Sequence, residues 1–223
     1  MRKRDNKETD FIPALRFNWL TSLYDPILRW TMRESAFKNQ LIRQIQVDPG
    51  QRILDLGCGT GTLTILLKQT YPKAEVTGID IDPKVLQIAE RKAENMGMDI
   101  TFNQGIAFEL PYSNNSFDLI VTSLMFHHLT LENKLRTLHE IFRVLKPQGE
   151  IHIADWGKAQ NGLMRVAFLP IQILDGFRTT TDNVNGLLLQ LMTNAGFNET
   201  KETDRFMTIY GTLSLYRARK NML

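Results

Sequence analysis

The chain has 223 residues, 43% of them hydrophobic, and a formal net charge of +3. That length suits one domain with a small appendage, and so mild a charge gives no argument for nucleic acid as a partner. No apolar run reaches the roughly 18 residues of a membrane span, no signal-type apolar stretch follows Met1–Lys7, and Cys58 is the single cysteine, so no internal disulfide forms.

A cytoplasmic location is therefore expected. Basic residues gather near both ends, at Arg2, Lys3, Arg4 and Lys7 and at Arg217, Arg219 and Lys220. They are expected to be solvated ends, with a nucleic-acid or anionic-membrane patch as the other reading.

Leu15, Trp19, Leu23, Ile27 and Trp30 recur at near-helical spacing, with Pro26 interrupting the run. A second helix is expected over Ser35–Gln46, leading into the turn Asp48-Pro49-Gly50. Residues 1–46 together read as a helical cap, and 47–223 as the main domain.

From there strands and helices alternate. Strands are expected at Arg52–Leu56, Glu75–Asp80, Ile100–Phe102, Phe117–Thr122 and Glu150–Asp155. Helices are expected at Leu63–Gln69, from Asp82-Pro83 to about Asn95, and at Leu131–Leu145, the last stopped by a turn at Lys146–Gly149. Such alternation implies an α/β fold, a doubly wound and mainly parallel sheet covered on both faces. An apolar stretch, Val166–Leu174, sits in an insertion spanning 157–181. A helix at Asp182–Asn194 follows, and then two β-rich runs around Gly211 that can pair as an antiparallel hairpin at the sheet edge.

The chemistry centres on Ile53-Leu54-Asp55-Leu56-Gly57-Cys58-Gly59-Thr60-Gly61. An apolar strand runs into a glycine loop and then a helix. Glycines let backbone approach a ligand that a Cβ would repel, and the helix N-terminus favours an anionic group. A dinucleotide fingerprint needs G-x-G-x-x-G, but the third glycine would fall at Thr62. The observed spacing is G-x-G-x-G. Asp80 ends the second strand, where a carboxylate can accept from both ribose hydroxyls. Asp82, followed by Pro83, is the better helix cap.

This pattern resembles the first motif of class I S-adenosylmethionine (SAM)-dependent methyltransferases. The resemblance runs from Gln51 to Trp156, through Asn115–Ile120, Ser123–Leu129 and Arg143–Gly149. It is nearest the small-molecule branch that includes quinone-biosynthesis enzymes, and Tyr24-Asp25 is similar to a pair in that branch's N-terminal cap. It implies a Rossmann-like fold and SAM as cofactor with S-adenosylhomocysteine as product; the apolar, aromatic character of the cap and the insertion favours a small, apolar or aromatic methyl acceptor. The implied cofactor residues are Asp55, Gly57, Cys58, Gly59, Thr60, Gly61, Asp80, Ile81, Ile106, Ala107, Ser123 and His128. One position departs from the family: Ile106 stands where an acidic residue often accepts from the adenine amino group.

Candidates for a general base are His127, His128 and Asp155, with Tyr24 behind them. Asp155 ends a strand at the edge where open α/β sheets bind ligands, so it is expected to meet the acceptor. Adjacent histidines do not share a strand or helix face, and no metal site is expected. The apolar insertion is expected to pack on the core, on a dimer partner, or as a lid over the acceptor, with peripheral membrane contact open. Two other functions remain: an inactive SAM-binding protein, and a nicotinamide-dependent oxidoreductase.

Overall fold

A computed structural model describes residues 34–222. The aromatic run Leu15–Trp30, the Tyr24-Asp25 pair and the basic residues before them lie outside the described residues. The strands are β1 (Arg52–Leu56), β2 (Glu75–Asp80), β3 (Thr101–Gln104), β4 (Phe117–Ser123), β5 (Leu145–Trp156), β6 (Asn198–Thr208) and β7 (Gly211–Arg219). They form one sheet in the order β3-β2-β1-β4-β5-β7-β6. The first five run parallel. The β6–β7 hairpin adds antiparallel to β5, with Ile153 opposite Tyr216.

Alternate residues of each strand feed opposite faces. Leu54 and Ile120 pack on one side with Leu138 and Ile141 of helix α4 (Leu131–Val144). Ile53 and Val121 pack on the other with Phe37 and Leu41 of α1 (Glu34–Arg43) and Leu63 of α2 (Thr62–Thr70). Both faces are thus buried, which is why these strands read as continuous apolar runs. Helix α3 (Pro83–Asn95) starts as its sequence dictates: Asp82 accepts from the Lys84 N–H at 2.8 Å and Pro83 fills the first turn.

Three expectations need correction. The turn at Lys146–Gly149 lies inside β5, as a bulge. Phe117 pairs with Leu145, the register then shifts, and Leu119 pairs with Glu150. Gln148 takes φ 66, and its N–H finds the Lys220 carbonyl at 3.0 Å, so the bulge is fastened to the strand end beside it. The helix at Asp182–Asn194 is two helices, α7 (Phe177–Val184) and α8 (Leu188–Asn194), parted at Gly186 with φ 75. The C-terminal basic residues are not simply solvated. Arg217 pairs with Glu150, and Lys220 is buried, its ammonium donating to Asn115 Oδ1 and to the carbonyls of Phe142 and Leu145.

The insertion folds as α5 (Gly162–Ala167) and α6 (Leu169–Asp175). It lies after β5, so it overhangs the C-terminal ends of the strands. Strand order reverses between β1 and β4. That is the switch point where an open α/β sheet leaves a crevice.

Candidate functional site

A cavity of about 320 Å³ occupies this crevice, within the usual range for small-ligand sites. Its first wall is the loop after β1. Gly57, Gly59 and Gly61 all have positive φ, at 71, 53 and 76°, the left-handed region that glycine enters without a Cβ clash. The three glycines serve different ends. A Cβ on Gly57 would lie 2.5 Å from Met125 Cγ, and one on Gly61 would lie 2.8 Å from Ala89 Cβ, so both are packing positions. A Cβ on Gly59, which lines the cavity, would meet no protein atom within 4 Å. The space there is a cradle that a ligand can enter. Cys58 lines the cavity as well, and its sulfur would sit 3.0 Å from a Cβ on Gly78.

Asp80 braces this loop. Its Oδ2 accepts from the Gly59 N–H at 2.8 Å and its Oδ1 from the Asp82 N–H at 3.0 Å. Burial pushes its carboxyl above the ordinary range, against the pull of those two bonds. Asp80 and Ile81 are wall residues of the cavity, and a carboxylate oxygen can accept more than one hydrogen bond. Ile106, Ala107 and Phe108 continue this wall, and the Ile106 side chain offers no acceptor. Thr60, Ser123 and His128 also line the cavity.

Asp55 and Gly61 are not on the wall. The Asp55 carboxylate is buried and accepts from Thr64 Oγ1 at 2.6 Å, tying β1 to α2. Burial pushes its pKa up to about 6, against the Thr64 hydrogen bond and the nearby Lys38. Its expected contact with the cofactor is replaced by this internal one.

The opposite wall follows β4. Leu124 takes φ 55, strained for a branched residue, and Phe126–His128 form a single 3-10 turn. That turn is why the two histidines depart from expectation. Their rings lie 4.0 Å apart between centroids, both on the cavity wall. Burial, and next the neighbouring His127, push the His128 imidazole down to about 3, so it is neutral at physiological pH.

Asp155 does not meet the cavity, contrary to expectation. It is fully buried behind His127, whose Nδ1 lies 2.8 Å from its Oδ1. Its oxygens also accept from the N–H groups of Phe126 and Trp156, each at 2.7 Å. Burial would raise this carboxyl, but the His127 imidazole and the backbone donors hold it below the usual range. Asp155 therefore orients His127.

Other wall residues escaped the sequence reading. Asp175, at the end of α6, brings Oδ2 to 3.7 Å from His127 Nε2. Burial pushes its carboxyl upward. Glu34 and Lys38 of α1, joined in an i,i+4 ion pair, line the far side. Their one signal was that spacing. Asp175 had only its place as the first charge after an apolar run.

Residues 53–149 match the family described as a methyltransferase domain. An uncharacterized methyltransferase of Synechocystis sp. is 32% identical over 191 residues, covering 84% of each chain. The chain belongs to the class I SAM-dependent methyltransferase family. A demethylmenaquinone methyltransferase of Lactobacillus johnsonii is 33% identical over 138 residues, 60% of this chain and 56% of that protein. The chain thus spans a little over half the length of that relative. Among solved structures, a Haemonchus contortus phosphoethanolamine N-methyltransferase in complex with S-adenosylhomocysteine superposes with a TM-score of 0.68. It is 18% identical, over 82% of this chain and 53% of that one. At that identity the likeness speaks for the Rossmann-like methyltransferase fold alone.

Proposed function

We propose that this chain transfers the methyl group of SAM to a small apolar or aromatic acceptor. The observation that carries the reading is the open cradle at Gly59 beside the Asp80 carboxylate, at the sheet's switch point. The residues present suit SAM. Gly57–Thr60 lie along its methionyl side, Asp80 receives the ribose hydroxyls, and Ile81, Ile106 and Ala107 flank the adenine. When bound, SAM supplies a methyl carbon already activated by its sulfonium. This chain's contribution is alignment and exclusion of water.

The acceptor end is apolar where Leu124, Leu129, Trp156 and Ile171 line it, and polar where His127 and His128 do. An aromatic acceptor with one polar group fits that division. The names of the demethylmenaquinone-modifying relatives point the same way. His127 is the proposed proton acceptor, with Asp155 as its positioning partner and His128 as a neighbouring contact.

The 157–181 insertion is proposed as the acceptor lid. Leu163, Val166, Ile173, Leu174 and Phe177 are exposed on it, and Arg165 and Arg178 lie among them. This combination suits peripheral contact with an anionic lipid surface. Among the described residues no helix is long and apolar enough to cross a membrane. A cytoplasmic location agrees with the proposal, as does the 1–46 segment acting as a cap.

Calorimetry with SAM and with NAD tests the cofactor. SAM should bind, and Asp80→Asn should weaken it by about 10- to 100-fold, the value of one or two charge-assisted hydrogen bonds. Binding of NAD alone would overturn the reading. Release of S-adenosylhomocysteine with hydroxylated quinols presented in vesicles separates an enzyme from an inactive binder.

A further inference from the structure

We propose that His127, His128 and Asp175 form a divalent-cation site of the zinc type at the acceptor end of the cavity. It deepens the reading above but does not need it, because ion binding is measurable without SAM.

Asp155 Oδ1 lies 2.8 Å from His127 Nδ1, so that ring nitrogen is already engaged and Nε2 is the one left to take a ligand. Nε2 faces the Asp175 Oδ2 at 3.7 Å, too far for a hydrogen bond between the two. A divalent cation can be held by both atoms at once.

The third ligand is His128. One donor atom from each of His127, His128 and Asp175 lies within 4.8 Å of the others. Zinc bonds of 2.0–2.2 Å in a tetrahedron put ligand atoms roughly 3.3–3.5 Å apart. The His127–Asp175 edge is already close to this, and rotation of the His128 ring supplies the rest. Two neutral imidazoles with one carboxylate suit zinc rather than magnesium or calcium, which prefer oxygen ligands. Three protein ligands leave a fourth position, and all three residues line the cavity. The Asp155–His127 bond supplies the outer support that a metal-bound histidine usually has.

Such an ion selects the acceptor. A phenolic or enolic oxygen in the fourth position loses its proton to solvent, because the bound cation stabilises the anion. The electron pair at that oxygen, or at the ring carbon conjugated with it, then forms the bond to the SAM methyl; in the carbon case that carbon afterwards gives up its hydrogen to solvent as a proton, and the C–H electron pair restores the ring and the oxygen anion. The carbon–sulfur pair returns to sulfur, giving neutral S-adenosylhomocysteine. In this arrangement the ion takes over the role proposed for the free His127 Nε2.

The test is calorimetric titration of the full chain, stripped with a chelator, with Zn²⁺, and a parallel Co²⁺ titration read in the visible. One ion per chain and the strong d–d bands of four-coordinate Co²⁺ are expected. Asp175→Asn and His127→Ala should each weaken binding by about 100-fold. His139→Ala, at an exposed histidine on α4, should leave it unchanged. Thermal melts verify that each variant is folded, and Asp175→Asn is the conservative change that settles a misfolded His127→Ala. The proposal is overturned by no stoichiometric ion, by six-coordinate Co²⁺ spectra, or by binding indifferent to Asp175→Asn. SAM titrated into the same samples keeps the two readings apart. SAM binding without an ion removes only the metal site, and an ion without SAM binding removes only the cofactor reading.

Discussion

Asp155 Oδ1 and His127 Nδ1 lie 2.8 Å apart, with the carboxylate wholly buried and the ring nearly so. The carboxylate also receives the backbone N–H groups of Phe126 and Trp156. It therefore holds both the 3-10 turn after β4 and the end of β5. Asp155→Ala leaves several buried donors without an acceptor and should cost about 3–5 kcal/mol of stability. Asp155→Asn keeps one oxygen and the side-chain shape and should cost less than half of that. Urea unfolding of the two variants checks the order. Equal losses would mean that the shape and the one remaining oxygen contribute nothing, and that the second, charged acceptor carries the whole effect.

The glycine loop separates binding from packing. Gly59→Ala introduces a Cβ into open cavity space at φ 53. It should cost about 1–2 kcal/mol in stability through backbone strain and reduce SAM affinity at least tenfold. Gly61→Ala drives a Cβ to within 2.8 Å of Ala89 and should destabilise more, by about 2–4 kcal/mol. Melting curves beside SAM calorimetry read both quantities, and the ranking in one should invert in the other.

Ile106 is half-buried on the cavity wall and gives the adenine amino group no acceptor. Ile106→Asp should tighten SAM binding by up to about tenfold, the worth of one net hydrogen bond. Calorimetry giving unchanged or weaker affinity would move the adenine elsewhere.

Asp55 yields a pH prediction. Its pKa is about 6 in the folded chain against an ordinary carboxyl value of 3.8. Between these values the unfolded chain has lost its proton while the folded one keeps it. Stability from this group is therefore greatest below about pH 4, falls as pH rises to about 6, and is level above. The two-unit difference amounts to roughly 3 kcal/mol. Asp55→Asn stays neutral throughout, so its stability relative to the native chain should climb from pH 4 to 6 and then stop. Denaturant melts at pH 4.5, 5.5 and 7 measure this, and a pH-independent offset would contradict it.

The legible parts of the site are local in sequence. The loop Gly57–Gly61 and the strand tip at Asp80 combine residue types whose backbone demands and charge reveal them within a few positions. The Asp82 cap was legible for the same reason. The partnership of Asp155 with His127, and the approach of Asp175, depend on where α6 and β5 end in space, which no local pattern encodes. The Lys146–Gly149 bulge was misread because a Pro-Gln-Gly cluster looks like a turn, and its pairing with the distant Lys220 decides the matter. Gly186 splits a helix that apolar periodicity alone made continuous.

The single thiol has a practical use. Cys58 is buried in the loop and pressed toward Gly78, and burial drives its pKa well above the usual thiol range. A thiol-specific alkylating dye should therefore react slowly, through the cavity that Cys58 lines or while that loop lifts away. Its labelling rate is an intrinsic clock for access to the cradle, and a molecule seated there should slow the clock in proportion to its occupancy.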